Sequence, residues 1–171
     1  MSLETENGPS LSLAETAASY LRRNGPLALV SGLGGALAVG LLAALSASLE
    51  HLLLIASFGA SCVLLFALPQ SPLARPRNVI CGHVLSALVG LLVLSVLGDG
   101  VLAMAVGVGV AIAVMQFTGT LHPPAGGNPL IVIMTGAGWS FLILPVLAGT
   151  VLLVAVALVY HRLFSKRAYP A

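Results

Sequence analysis

Long apolar runs separated by short polar or glycine–proline interruptions organise this chain. The runs occupy residues 26–49, 51–69, 79–97, 101–117, 130–138 and 140–160. As helix, the first extends about 36 Å at 1.5 Å per residue, enough to cross hydrocarbon with some tilt. Ahead of it, Ser12 and Glu15 have the spacing of a capping box, and Leu13, Ala17 and Leu21 share one helical face. Gly25-Pro26 then stops the pattern. A short amphipathic helix lying at the membrane surface is predicted, with Arg22 and Arg23 at its end. Residues 1–9 are expected to be disordered, Glu50 and His51 to sit in a solvated outer loop, and Gly98-Asp99-Gly100 to form a tight turn. The loop 70–78 is polar and rich in proline. Three regions follow: a tail and interfacial helix over 1–25, a transmembrane domain over 26–161 and a basic cytoplasmic tail over 162–171.

The interruption Leu121-His122-Pro123-Pro124-Ala125-Gly126-Gly127-Asn128-Pro129 breaks the pattern most sharply. Pro123 and Pro124 remove two N–H donors and disfavour helix before them. Gly126 and Gly127 permit close approach of backbone to a ligand or a neighbouring helix. Asn128 is placed to cap the helix that follows, and Pro129 suits its first turn. Unwound backbone persists at membrane depth only when buried in protein or lining a wet cavity. The break is therefore either a packed kink or a site for a small polar solute. A helix N-terminus facing it favours an anion.

Composition places the chain in the membrane class. Hydrophobic residues make up 58% of 171 positions, charged residues 7%, and mean hydropathy is +1.08; a soluble domain carries about 25% charge. One membrane domain without a soluble appendage or a cleavable signal peptide is expected. The seven Lys and Arg lie before the first span, in loop 70–78 and after the last span. The positive-inside rule puts both termini and that loop in the cytoplasm of a multi-pass protein. Seven dispersed cations do not make a nucleic-acid surface. With both ends inside, the crossings must be even in number, yet the long runs number five. Segment 122–138 must then return the chain to the outer side as extended backbone and a short helix. The fold class expected is an all-α polytopic bundle of about five full spans plus a broken, re-entrant segment. Three-plus-three division suggests an inverted repeat, in which Ser57-Phe58-Gly59-Ala60-Ser61 parallels 124–128.

Candidate solute-binding groups are His122, Pro123, Pro124, Ala125, Gly126, Gly127 and Asn128, faced by Ser57, Gly59 and Ser61. His122 is either a solute contact or proton relay, or a buried imidazole bonded to a carbonyl. Arg75, Arg77 and Asn78, with His83 one turn into its span, read as a cytoplasmic mouth; the plainer reading of the two arginines is topology anchors. Gln116 and Thr118 flank the break. Cys62 and Cys81 read as small buried hydrophobes. No metal site, cofactor or catalytic set is visible, and the chain is not expected to be an enzyme. Many glycines in the spans (Gly32, Gly34, Gly35, Gly40, Gly90, Gly107, Gly109), with Ser86, favour close packing and a homo-oligomer.

Three blocks resemble the HPP family of integral membrane proteins: Ala56-Ser57-Phe58-Gly59-Ala60-Ser61, Ser71-Pro72-Leu73-Ala74-Arg75-Pro76-Arg77-Asn78 with Gly82-His83, and Leu121-His122-Pro123-Pro124-Ala125-Gly126. The resemblance implies a small multi-span bundle in a bacterial inner membrane or plastid envelope. Some members are implicated in nitrite transport. Gly127-Asn128-Pro129 departs from the family's usual run of small, non-proline residues. A transporter or channel for a small monovalent anion such as nitrite is the expectation, its partners being that anion, the lipid bilayer and further copies of itself. A non-transporting membrane scaffold or sensor subunit is the alternative, favoured by a dry apolar centre in which His122 bonds only to backbone.

Overall fold

The computed structural model describes residues 12–49 and 53–170, so the predicted disorder of 1–9 and the Glu50–His51 loop lie outside the described residues. Among the described residues all regular elements are helical. Helix α1 (Leu13–Leu49) opens on the expected capping box: the Ser12 N–H donates to Glu15 Oε2 at 2.9 Å and the Glu15 N–H to Ser12 Oγ at 3.2 Å. The predicted stop at Gly25-Pro26 is absent, and one 37-residue helix runs through Pro26. An internal proline forfeits one backbone bond, whereas ending a helix orphans about four carbonyls. In an apolar segment the first cost is the smaller.

The second apolar run, expected as a span over 51–69, is much shorter as helix. The chain is extended at Ile55, forms α2 (Ala56–Cys62), continues as one wide π-type turn over Val63–Ala67, and ends before Pro69. A 3-10 turn (Pro72–Ala74), whose Leu73 N–H is held by Ser71 Oγ, leads into α3 (Pro76–Leu97). Helix α4 (Val101–Phe117) follows the turn at Asp99. The predicted break is present: a 3-10 turn over Pro123–Gly127 enters α5 (Asn128–Thr135), about 12 Å of helix. The last apolar run kinks at Leu144, then continues as α6 (Ala148–Tyr160) and a terminal turn to Ser165. Three helices, Leu13–Ser48, Pro76–Leu97 and Trp139–Ser165, are long and apolar enough to cross a bilayer; Ala56–Ala67 and Val101–Phe117 are shorter apolar helices.

Helix α3 is the centre of the bundle, touching α4, α5, α6 and the 3-10 turns at Pro72–Ala74, Pro123–Gly127 and Trp139–Leu142. Its glycines make that possible. A Cβ on Gly90 would lie 2.8 Å from Pro129 Cα, and one on Gly82 would lie 2.9 Å from both His122 Cβ and the Thr120 carbonyl. On α4, Gly107 offers Pro129 a second slot. The broken segment is thus pressed against α3 at two levels. Phe58, Phe66, Leu65, Val79, Val132 and Leu153 fill the apolar core around it. Helix α1 joins through the Tyr160 hydroxyl, which donates to the Val30 carbonyl at 2.6 Å, while its residues 13–29 are almost wholly exposed.

Gly90→Ala should destabilise the bundle by about 1–3 kcal/mol, the usual range for overpacking a tight contact. Thermal unfolding in detergent checks this, with Gly109→Ala, where an added Cβ meets nothing within 4 Å, as the neutral comparison.

Candidate functional site

Helix α4 ends where Gly119 adopts a left-handed conformation and the Thr120 N–H bonds back to Met115. His122 is extended because it precedes a proline. Three of the backbone carbonyls freed by this path meet a donor from α3. Arg77 Nη2 donates to Thr118 O at 3.0 Å, Asn78 Nδ2 to Leu121 O at 2.9 Å, and Ser86 Oγ to Ala125 O at 2.6 Å. Side chains of α3 therefore replace part of the bonding that a helix would have made internally.

Five polar side chains close the space between α2, α3 and the break: Ser57, Ser61, His83, His122 and Asn128. Ser57 is 7% exposed and the other four are 0% exposed. Their hydrogen bonds have one consistent direction. A carbonyl can only accept, so the His122 Nδ1–H donates to Leu73 O at 2.9 Å. In neutral His122 the other nitrogen is an acceptor, and the Ser61 hydroxyl donates to Nε2 at 2.8 Å. The Asn128 amide nitrogen donates to His83 O and His83 Nδ1, both at 3.0 Å. That leaves the hydrogen of His83 on Nε2, which donates to Ser61 Oγ at 2.9 Å. Ser57 Oγ starts the series, donating to Asn128 Oδ1 at 2.8 Å. The chain runs Ser57, Asn128, His83, Ser61, His122, Leu73 carbonyl, each link donating to the next. Among the described residues no buried side-chain polar atom lacks a partner. The two imidazole centroids are 5.1 Å apart, and the Phe58 and His83 rings are near perpendicular with centroids 5.2 Å apart.

Most of the predicted residues meet here, and some do not. Asn128 does not cap α5; the cap position is Gly127, without a side-chain bond, and the Asn128 amide turns inward to join α2 and α3. Pro129 takes the expected first-turn place. His83, grouped from sequence with the mouth, lies instead in the buried network. Gly59 is exposed on the face of α2 opposite Ser57 and Ser61. Pro123 is exposed, Pro124, Gly126 and Gly127 are half-buried, and Ala125 is buried. Arg75 and Arg77 are exposed at the start of α3 and Asn78 is half-buried beside them. Gln116 is exposed. Sequence reasoning did not assign Ser86 or Gly82 to the site. Their signal was the 82, 83, 86, 90 spacing, a single helical stripe of small and polar residues.

On the loop side, the turn carrying Leu73 is held by the C-terminal residues. The Tyr169 hydroxyl donates to Ala74 O at 3.0 Å, and burial pushes that phenol above its ordinary range. Arg167 donates to Phe66 O and Ala67 O at 3.0 and 3.1 Å, closing the end of the α2 segment. Among the described residues no cluster of three or more His, Cys, Asp or Glu side chains is placed to hold a metal. Chemically the network can donate to an anion, accept or pass a proton, and rearrange through one hydroxyl.

The family described as "HPP, transmembrane region" matches residues 22–170. Two Dictyostelium discoideum proteins, each named as a transmembrane protein, are similar. One is 42% identical over 125 residues, covering 68% of this chain and 44% of that protein. The other is 38% identical over 129 residues, covering 71% and 42%. The chain thus spans less than half the length of the curated relatives it matches. No solved structure matches it.

Asn128→Ala strips partners from Ser57, His83 O and His83 Nδ1 at once. A loss of about 1–3 kcal/mol per stranded buried group is expected. Thermal unfolding should show a larger loss for Asn128→Ala than for the exposed Gln116→Ala.

Proposed function

Because the chain belongs to the HPP family of transmembrane proteins, we propose that it is a transporter or channel for a small monovalent anion of the nitrite type. The observation that carries this reading is the fully buried polar network where two interrupted apolar segments meet. Polar groups at membrane depth are costly, and their concentration in a bundle interior marks solute and proton pathways. The His122 Nδ1–H is the anion donor. In this structure it is met by the Leu73 carbonyl, and an anion oxygen would take that carbonyl's place when the Pro72–Ala74 turn moves. Arg75 and Arg77, exposed at the same end of α3, raise the local anion concentration.

The finer topology belongs to the same proposal. Both termini and loop 70–78 face the cytoplasm of an inner membrane, and the α2 and α5 segments enter from opposite sides as the paired members of an inverted repeat. Support comes from their shared character: each is a short helical piece preceded by an extended residue, Ile55 or His122, and the two meet through Ser57–Asn128 and Ser61–His122. Homo-oligomerisation is supported by the exposure of α1. The scaffold alternative called for an apolar centre with His122 on backbone alone; here its ring also bonds Ser61.

Purified protein in liposomes should take up nitrite faster than empty liposomes. His122→Ala should lower that rate about tenfold or more, the loss of one hydrogen bond to a charged ligand. Asp99→Asn, in the exposed turn, should not. Uptake no faster than empty liposomes, with protein shown to be folded, overturns the proposal.

A further inference from the structure

The buried network contains hydrogen-bonding power but no resident charge. Among the described residues the acidic side chains are Glu15 and Asp99, both exposed at helix ends. The titratable groups on the elements packed around His122 are His83, Cys81 and Arg77 on α3, Arg75 at its start, and Cys62 on α2; Arg77 is exposed and bonded to Thr118 O. An anion entering alone would be an unpaired charge in a low-dielectric interior, and so would a proton. Entering together, they form a neutral pair.

We propose that Ser61, His83 and His122 make a single-proton site, and that the protein carries one proton with each anion. This rests on the anion-transport reading above. Three features of the geometry support it. First, both Nε2 atoms converge on one hydroxyl oxygen, at 2.8 and 2.9 Å. Second, that hydroxyl has a second acceptor in reach, the Ser57 carbonyl at 3.1 Å. Third, the rings are 5.1 Å apart, so a second proton would put two like charges in contact range.

The step is a simple proton transfer. Hydronium from the solvent gives its proton to the Nε2 lone pair of His122; an N–H bond forms, an O–H bond breaks and water leaves. The Ser61 hydrogen, which had pointed at that lone pair, turns to the Ser57 carbonyl. Ser61 Oγ then accepts from both imidazoles through its two lone pairs, and every polar atom keeps a partner. Protonating His83 instead would need Nδ1–H to reach Asn128 Oδ1 at 3.3 Å while the Asn128 amide nitrogen faces it at 3.0 Å, so His122 is the carrier. On the far side the proton returns to water from the same nitrogen, and the Ser61 hydroxyl turns back.

Proteoliposomes of the full chain, loaded with a pH-sensitive dye and clamped with potassium and valinomycin, test the coupling. An inward nitrite gradient at mildly alkaline pH should acidify the lumen in step with nitrite entry, beyond the leak in empty vesicles. Entry should not respond to the imposed voltage. His122→Gln can still bond Leu73 O and Ser61 but cannot carry the proton, and whatever nitrite it still admits should enter without acidification, the two being read in the same vesicles; acidification still in step with nitrite in this variant overturns the assignment of His122 as carrier. Voltage-driven nitrite entry without acidification overturns the proton coupling and leaves the anion reading standing; no nitrite entry overturns both. Independently of transport, nitrogen NMR of histidine-labelled protein in bilayers should show neutral His122 with hydrogen on Nδ1 and neutral His83 with hydrogen on Nε2. The reverse tautomers overturn the single-proton site.

Discussion

Backbone N–H and C=O groups buried away from water must find partners inside the protein, and the rest of this structure depends on how that is met at the break. Between Phe117 and Asn128 the chain abandons α-helix, and its carbonyls need donors from elsewhere in the protein. Helix α3 supplies them instead. Arg77 and Asn78 from the first turn of that helix, and Ser86 from about two turns further on, reach three carbonyls of the break. The glycine slots at 82 and 90 let backbone come close enough for those bonds to form. Packing and polar satisfaction are therefore one device: without the small residues the donors would stand too far away.

With three carbonyls of the break held by α3, its side chains take other partners. His122 and Asn128 turn inward, away from any capping role, and meet Ser57 and Ser61 on the half-length α2 segment. The result is a hydrogen-bonded chain with one direction, closed at the Leu73 carbonyl. Such chains polarise each link and hold a unique arrangement of rotamers and tautomers. Leu73 joins this centre to the loop, and the neighbouring Ala74 carbonyl joins the loop to Tyr169. Hydrogen bonds thus connect His122 through the 72–74 turn to Tyr169.

Much of this was legible in the residues. The apolar runs, the capping box, the tight turn at Asp99 and the break at 122–129 follow from local chemistry, and the structure has each of them. Pro26 misled because a helix in an apolar stretch tolerates one missing bond more easily than a new pair of ends. The second run misled because hydropathy counts residues and not helical rise: Leu53–Ile55 and Leu68–Pro69 are apolar but not helical. His83 and Gly59 were misassigned for a related reason. Sequence distance from the loop suggested depth, but helical phase decided which face each residue occupies.

The sequence by itself determined the class of protein, the positions of its breaks and the polar residue types placed there, because hydropathy, proline and glycine act within a few neighbours along the chain. Only the tertiary structure decided that Ser57 meets Asn128, that Ser61 stands between two imidazoles and that His122 points at Leu73. Those contacts join residues separated by 71, 22, 61 and 49 positions. They depend on how deeply α5 seats in the glycine slots of α3 and α4, a property of packed helices and not of any local stretch of sequence.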